Sequence, residues 1–366
     1  MKIGILKEIE KSEKRVSISP KIAKQLVDNG FEVLVEDEAG SSSKFKNSDY
    51  KEVGVTVEKR GAVYKNSDVL VKINPFDEDG LKLIDQHHIL ICQLFHKSHP
   101  DIVKKIADIG ATIFSMDALP RISRAQDMDV LSSQSNLAGY KAVIKGAYEM
   151  TKIFPLMMTA AGTITPSRVL IYGVGVAGLQ AIATAKRLGA IVEATDIRLE
   201  TKEQAESLGA KFITVDNNGE GSNDGYAKAA SEEYAKRQKE AVDNSLFKAD
   251  LVITTAMVPG RKSPVLITEE QVMHMKNGAV IIDLAAAQGG NCELSKMNKS
   301  VVKNGVKIIG TTIAPESVST NASDLYAKNM YNFIMFLTEN NEFKFDLEDE
   351  ITDETLIVKE GEIRKT

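Results

Sequence analysis

Residues 168–178 read Arg-Val-Leu-Ile-Tyr-Gly-Val-Gly-Val-Ala-Gly and run straight into Leu-Gln-Ala-Ile-Ala-Thr-Ala-Lys-Arg-Leu. No other stretch of the 366-residue chain limits the fold as tightly. The apolar run Arg168–Tyr172 predicts a strand, Gly173-x-Gly175-x-x-Gly178 a tight turn, and the following residues a helix. In such a turn the first glycine makes the bend and the second lets a pyrophosphate approach the backbone. The third lets helix and strand pack closely. The helix start at Val176 and Ala177 offers free N–H groups and the positive end of the helix dipole to phosphates. A lone pattern of this kind is weak. Here the next apolar run, Ile191–Thr195, delivers Asp196 eighteen residues after Gly178. A carboxylate at that place accepts from the adenine ribose and repels a 2′-phosphate. The site is therefore expected to take NAD(H), with Asp196 outweighing the nearby Arg198.

Ten further short apolar runs alternate with segments of helical spacing. They are Lys2–Leu6, Phe31–Val35, Asp68–Ile73, His88–Leu94, Ala111–Ser115, Ile191–Thr195, Lys211–Val215, Asp250–Ala256, Ala279–Leu284 and Val306–Gly310. That alternation predicts βαβ units and parallel sheets. At 43% hydrophobic and 27% charged residues, the composition is globular. Its length predicts two domains. We expect an α/β protein with two Rossmann-like, doubly wound domains. A helix over Ser135–Met150, N-capped by Ser135, enters the second domain. Leu325, Met330, Phe333, Ile334 and Leu337 recur at helical spacing and mark a helix leaving it. The first domain is then discontinuous, 1–131 plus 324–366, and residues 132–323 form the dinucleotide-binding domain. The final ~25 residues carry no legible signal of their own. The formal charge of −5 leaves no basic stripe for nucleic acid. Cys92 and Cys292 read as two buried free thiols of a reducing compartment. The five histidines show no metal spacing, and no apolar run has the length of a membrane span.

These residues also carry a resemblance. Gly4-Ile-Leu-Lys7-Glu8, Glu13-Lys-Arg15-Val16 and Pro20 resemble the opening of alanine dehydrogenases and of the alpha subunits of proton-translocating NAD(P) transhydrogenases. The segment from Pro120-Arg121 through Gln126, Asp129 and Ser132 to Tyr140 is more specific and resembles the signature loop of the transhydrogenase NAD(H)-binding component. So do Met157-Met-Thr-Ala-Ala-Gly162-Thr, the glycine turn, and Asp283-Leu-Ala with Gly289-Gly-Asn-Cys292. The resemblance spans residue 1 to about 340. It implies that Arg121, Asp129 and Ser132 hold the nicotinamide carboxamide and that Gln126 reaches the nicotinamide ribose towards a second nucleotide. Read without the resemblance, the same charged residues could equally cap the next helix and form surface ion pairs. The Gly/Asn-rich stretch 216–228 is implied to be a lid whose Tyr226 contacts the nucleotide. Ile197, Arg198, Thr255, Ala256 and Leu266 complete the expected cofactor contacts.

Two chemistries compete within the resemblance. An alanine dehydrogenase needs a general acid/base beside the hydride site. Alignment puts Phe95 where that family has its His, with His96 one residue off, and Ala287 where it has its Asp. Arg15 and Lys72, which would hold a keto-acid carboxylate, are present. A transhydrogenase half-site needs no acid or base, only two nicotinamide rings held in contact. The expected function is hydride exchange between NAD(H) here and NADP(H) on a partner beta subunit. Proton translocation then falls to membrane-anchoring subunits, this chain being a cytoplasmic homodimer attached to the inner membrane through them. Because the sequence ends at Thr366 without membrane helices, it resembles the split form of the alpha subunit. The rival readings are a free-standing alanine dehydrogenase and a catalytically silent NADH sensor.

Overall fold

The structure, a computed structural model, describes residues 1–215, 224–257, 261–311, 318–344 and 346–365, with side chains omitted over 224–232. Two compact units emerge, Met1–Gln134 with Pro315–Thr366, and Ser135–Ala314. Each is built on its own sheet.

The first sheet begins with six parallel strands: β1 (Lys2–Ile5), β2 (Glu32–Glu36), β3 (Thr56–Glu58), β4 (Val69–Val71), β5 (Ile89–Cys92) and β6 (Thr112–Ser115). Helix α1 (Val130–Glu149) carries the chain onward. An exposed hairpin, β7 (Met157–Thr159) and β8 (Gly162–Ile164), precedes the second sheet. That sheet contains β9 (Arg168–Tyr172), β10 (Ile191–Thr195), β11 (Lys211–Phe212), β12 (Leu251–Thr254), β13 (Val280–Asp283), β14 (Lys299–Lys303) and β15 (Val306–Gly310). Helix α2 (Val176–Arg187) joins β9 to β10, and α3 (Asp224–Leu246) precedes β12. Helix α4 (Ser319–Leu337) belongs to the first unit again. It is followed by the small hairpin β16 (Thr338–Glu339) and β17 (Glu342–Phe343), helix α5 (Glu350–Thr355), and strands β18 (Leu356–Lys359) and β19 (Glu362–Ile363).

The strand orders are β19-β18-β6-β5-β4-β1-β2-β3 and β11-β10-β9-β12-β13-β15-β14. Both are doubly wound: the chain starts mid-sheet, builds outward to one edge, then returns to build the other. The α/β fold class is the one the alternation of apolar runs requires, and all eleven runs contain a strand. Their central residues, such as Leu70, Leu90, Leu170 and Ile281, are buried with helices on both faces, which is why the runs are continuous rather than alternating.

Four features differ from the sequence expectation. Helix α1 starts at Val130, not Ser135, so Ser135 lies inside it and Asp129 is the capping residue. The Asp129 Oδ1 accepts the Ser132 amide at 2.9 Å. A side-chain acceptor directly ahead of Val130 satisfies an orphan amide of the first turn, which a hydroxyl five residues further on, where the helix has already begun, does not. Second, Leu325 is exposed, while Tyr326, Met330, Phe333, Ile334 and Leu337 of α4 are buried in the first unit's core. Third, the final residues are not featureless. Strand β18 pairs antiparallel with β6, and Ile351, Leu356, Ile357 and Val358 are fully buried. Fourth, β3 and β14 carry no apolar run of their own: β3 has three residues, and β14, Lys-Ser-Val-Val-Lys, is a largely exposed edge strand. The bland reading of the two cysteines fits: both are free and buried, and burial pushes the Cys292 thiol up to about 11.

Candidate functional site

In the second unit the winding reverses between β9 and β12, and the residues singled out by sequence gather at the carboxyl ends of these strands. Gly173 has φ +91°, a left-handed conformation that disfavours any side chain, and its amide donates to Thr195 O at 2.9 Å. A Cβ on Gly178 would lie 1.9 Å from the Gly173 carbonyl oxygen, so only glycine allows α2 to lie this close to β9. A Cβ on Gly175 would meet nothing within 4 Å. The glycine expected to leave room for a pyrophosphate does face open space. Val176, half-exposed, and Ala177 open α2 there, and Gly175 provides no side-chain cap. The first N–H groups of the helix therefore remain available to an anion.

Asp196 stands beside this turn. Its Oδ2 accepts the Val174 amide at 2.7 Å, and its Oδ1 accepts the Arg198 amide at 2.9 Å. The Arg198 guanidinium forks onto both oxygens at 3.0 Å. Burial opposes ionisation of Asp196, but the bonds from Arg198 and from the Val174 amide outweigh it and hold the carboxyl below the usual carboxylate range. Ile197, next in the chain, is 97% exposed. An isoleucine so bare beside an ordered carboxylate offers a flat apolar surface to a planar ring.

The opposite wall comes from β12 and β13. Thr255 donates its amide to Tyr172 O at 2.9 Å and its hydroxyl to Gly173 O at 3.0 Å, tying the end of β12 to the glycine turn. Ala256 donates to Asn291 Oδ1 at 3.0 Å. Asn291 returns its amide to the carbonyls of Ala256 and Pro264, both at 2.8 Å. Leu266 donates its amide to Asn291 O and packs half-buried against the core. Behind them Asp283 is fully buried and accepts five bonds, from Thr254 Oγ1, Ser295 Oγ and the amides of Ala285, Asn291 and Cys292. Sequence reasoning quoted Asp283 only as part of a motif. Its work is to fold residues 285–295 into the loop that pins Ala256. A buried Asp ending a strand before Gly-Gly-Asn was the available signal. Tyr226 and the 216–223 stretch lie outside the described side chains or residues, as does Pro259-Gly260.

The first unit holds the other expected group. After β6 the chain makes a tight turn over Ser123–Met128, with Ala125 and Met128 buried and Arg121 and Gln126 exposed. No other described residue pairs with the Arg121 guanidinium or the Gln126 amide. Asp129 and Ser132 are paired with each other: the Ser132 hydroxyl donates to Asp129 Oδ2 at 2.6 Å. The capping role open at the sequence level is thus real for Asp129, and Arg124 does form an ion pair, with Asp349 at 2.9 Å. A cap leaves lone pairs on both Asp129 and Ser132, so it does not bar them from a ligand.

The positions where a proton-transfer group would be sought are occupied otherwise. Phe95 has φ +47° and is 41% exposed, its amide held by Asp117 Oδ1 at 3.0 Å. His96 is half-buried, and burial lowers its pKa. Ala287 presents an exposed methyl group in the turn Ala286–Gln288. Arg15 is engaged by Glu13 at 2.6 Å and by Gln134 at 3.0 Å. Lys72 is buried with Glu8 at 3.9 Å and donates to Pro75 O at 3.2 Å.

Known proteins share the sequence and the fold. Residues 4–138 match the family model "Alanine dehydrogenase/PNT, N-terminal domain", and residues 142–366 match "Alanine dehydrogenase/PNT, C-terminal domain". The chain is 50% identical to an NAD(P) transhydrogenase subunit alpha polypeptide of Rhodospirillum rubrum, over 99% of this chain and 97% of that protein. It is 30% identical to alanine dehydrogenase 2 of Staphylococcus aureus, over 84% of this chain and 79% of that protein. Among solved structures, transhydrogenase from Sinorhizobium meliloti superposes with a TM-score of 0.91 at 39% identity, covering 99% of this chain and all of that one.

The close approach at Gly178 gives a direct prediction. Gly178→Ala should lower the unfolding free energy by about 2–3 kcal/mol, read as a shifted denaturant midpoint. A midpoint equal to wild type would show that helix and strand are not held at this separation.

Proposed function

The chain belongs to the alanine dehydrogenase/PNT family, among the transhydrogenase alpha subunits, and we propose that it binds NAD(H) and exchanges hydride directly with NADP(H) on a partner subunit. The enzyme class is NAD(P) transhydrogenase. The observation that carries the finer reading is the pairing of an open glycine turn and an ionised Asp196 with Phe95 and Ala287 at the two acid/base positions. Hydride passing between two nicotinamides needs rings in contact and no proton acceptor.

On this reading Ser135–Ala314 is the NAD(H)-binding domain. The pyrophosphate lies over Gly175, Val176 and Ala177. Asp196 takes the adenosine ribose, Arg198 swings off its carboxylate to admit it, and Ile197 flanks the adenine. Thr255, Ala256 and Leu266 line the other wall, and Tyr226 contributes from the lid. Arg121 donates to the carboxamide oxygen, while Asp129 and Ser132 accept from its nitrogen. Gln126 touches the nicotinamide ribose. These assignments rest on sequence resemblance together with the side chains' local exposure. The alanine dehydrogenase alternative draws on Arg15 and Lys72. Their charges are met within the unit by Glu13 and Glu8, which leaves less for a keto-acid carboxylate.

A homodimer suits the surface of the second unit. The hairpin β7–β8 carries Met157, Met158 and Ile164 exposed, with Leu156 and Tyr148 exposed nearby. A second copy is the occupant we assign to them. No helix among the described residues is long and apolar enough to cross a membrane. Attachment to the inner membrane and proton translocation are assigned to partner subunits on the sequence resemblance.

The test is NADH oxidation by NADP⁺, with the purified chain alone and then with an NADP(H)-binding transhydrogenase component. Turnover only with the partner is the expected result. Activity of the chain alone on pyruvate plus ammonia, without partner-dependent turnover, would establish the dehydrogenase instead. Within the same assay, Gln126→Asn should leave NADH affinity within about twofold while slowing hydride transfer about tenfold or more. Equal loss of binding and transfer would remove Gln126 from the inter-nucleotide contact.

A further inference from the structure

The turn Ser123–Met128 is short and tight, a conformation with weaker internal hydrogen bonding than an α-helix. Its position must come from outside. Helix α4 turns Met330, Phe333, Ile334 and Leu337 into the core, yet Asn329, only 7% exposed, lies among them. An apolar residue would pack there at less desolvation cost. What the asparagine gains is Asp127: its Nδ2 donates to the Asp127 carbonyl oxygen at 2.7 Å. Asn332, one turn further along and on the same side of the helix, donates to the same oxygen at 3.0 Å. Both lone pairs of one loop carbonyl are thus taken by side chains more than 200 residues away in sequence. On the other flank Arg124 Nη1 meets Asp349 Oδ2 at 2.9 Å, just ahead of α5. Ala125 and Met128 are sunk in the core. Arg124, Ala125, Asp127 and Met128 are therefore all fixed, and Gln126 stands among them exposed and unpaired among the described residues.

We infer that Asn329 and Asn332, with the Arg124–Asp349 pair, are positioning residues that set where Gln126 is presented. The inference rests on the proposed inter-nucleotide role of Gln126. The side chains of all four residues are engaged within the unit, on the loop or on one another, so on this inference their effect appears in the transfer step and not in cofactor affinity.

The experiment compares wild type, Asn332→Ala, Asn329→Ala and Arg124→Ala; Arg124 is the member of the pair to change, because Asp349 also caps α5 through the Ile351 amide. NADH affinity is read by fluorescence, and single-turnover transfer is read to an NADP⁺-loaded transhydrogenase component. Displacements near 1 Å cost catalysis up to about a hundredfold, so each of the three single variants should slow transfer about 10- to 100-fold with NADH affinity within about twofold of wild type. Wild-type transfer rates in Asn332→Ala and Arg124→Ala would overturn the inference, as would a loss of NADH affinity equal to the loss of rate. Asn329→Ala cuts into the core and counts only if its thermal midpoint matches wild type. Should the wild-type chain itself transfer no hydride, the functional reading fails, and amide exchange over 123–129 decides the tether separately. Faster exchange in Asn332→Ala upholds it, and unchanged exchange overturns it.

Discussion

The contact on which the nucleotide site depends is the approach of α2 to β9 at Gly178, beneath the Gly173 carbonyl. It fixes the direction of the helix and therefore the place at which its unpaired N–H groups and positive dipole end emerge. Groups from the neighbouring strands are tied to that point. Thr255 ties β12 to the turn, Asp196 braces it through the Val174 amide, and the buried Asp283 shapes the loop whose Asn291 holds Ala256. The unit thus spends polar interactions on backbone placement and leaves one face of the turn bare.

The first unit uses the opposite strategy. There the backbone of the loop is held by side chains from distant segments, while Arg121 and Gln126 stay exposed. Asp129 serves both regimes, as the cap that starts α1 and as a carboxylate with lone pairs to spare. If Asp129 takes the carboxamide as proposed, it is ordered before the ligand arrives, which reduces the entropy lost on binding. This double use explains why the capping and the functional readings of the loop could not be separated by sequence.

Legibility followed from periodicity and from local chemistry. The buried parallel strand β9 is a nearly continuous apolar run, β10 and β15 each carry one charged residue in a β-branched run, and the limits of all three in the structure are those of the sequence pattern. The glycine turn was legible for a local reason: each glycine answers a constraint set within a few residues. The C-terminal strands were not, because β18 is defined by its partner β6, over 240 residues away, and not by its own pattern. Asn329 and Asn332 were invisible for the same reason. As sequence they are two polar residues on an amphipathic helix, and only the carbonyl of Asp127 gives them meaning. The helix start was missed because a serine six residues later offered an equally good cap on paper.

The central claim is that hydride moves directly from one nicotinamide to another, with no proton-transfer group of this chain involved. The measurement that reaches it most directly uses NADH carrying deuterium at both C4 positions, incubated in ordinary water with the chain and an NADP⁺-loaded transhydrogenase component. Mass spectrometry of the NADPH formed then shows where the transferred hydrogen came from. The account predicts one deuterium in every NADPH molecule. NADPH without deuterium would mean exchange with solvent on the way, and it would contradict the claim.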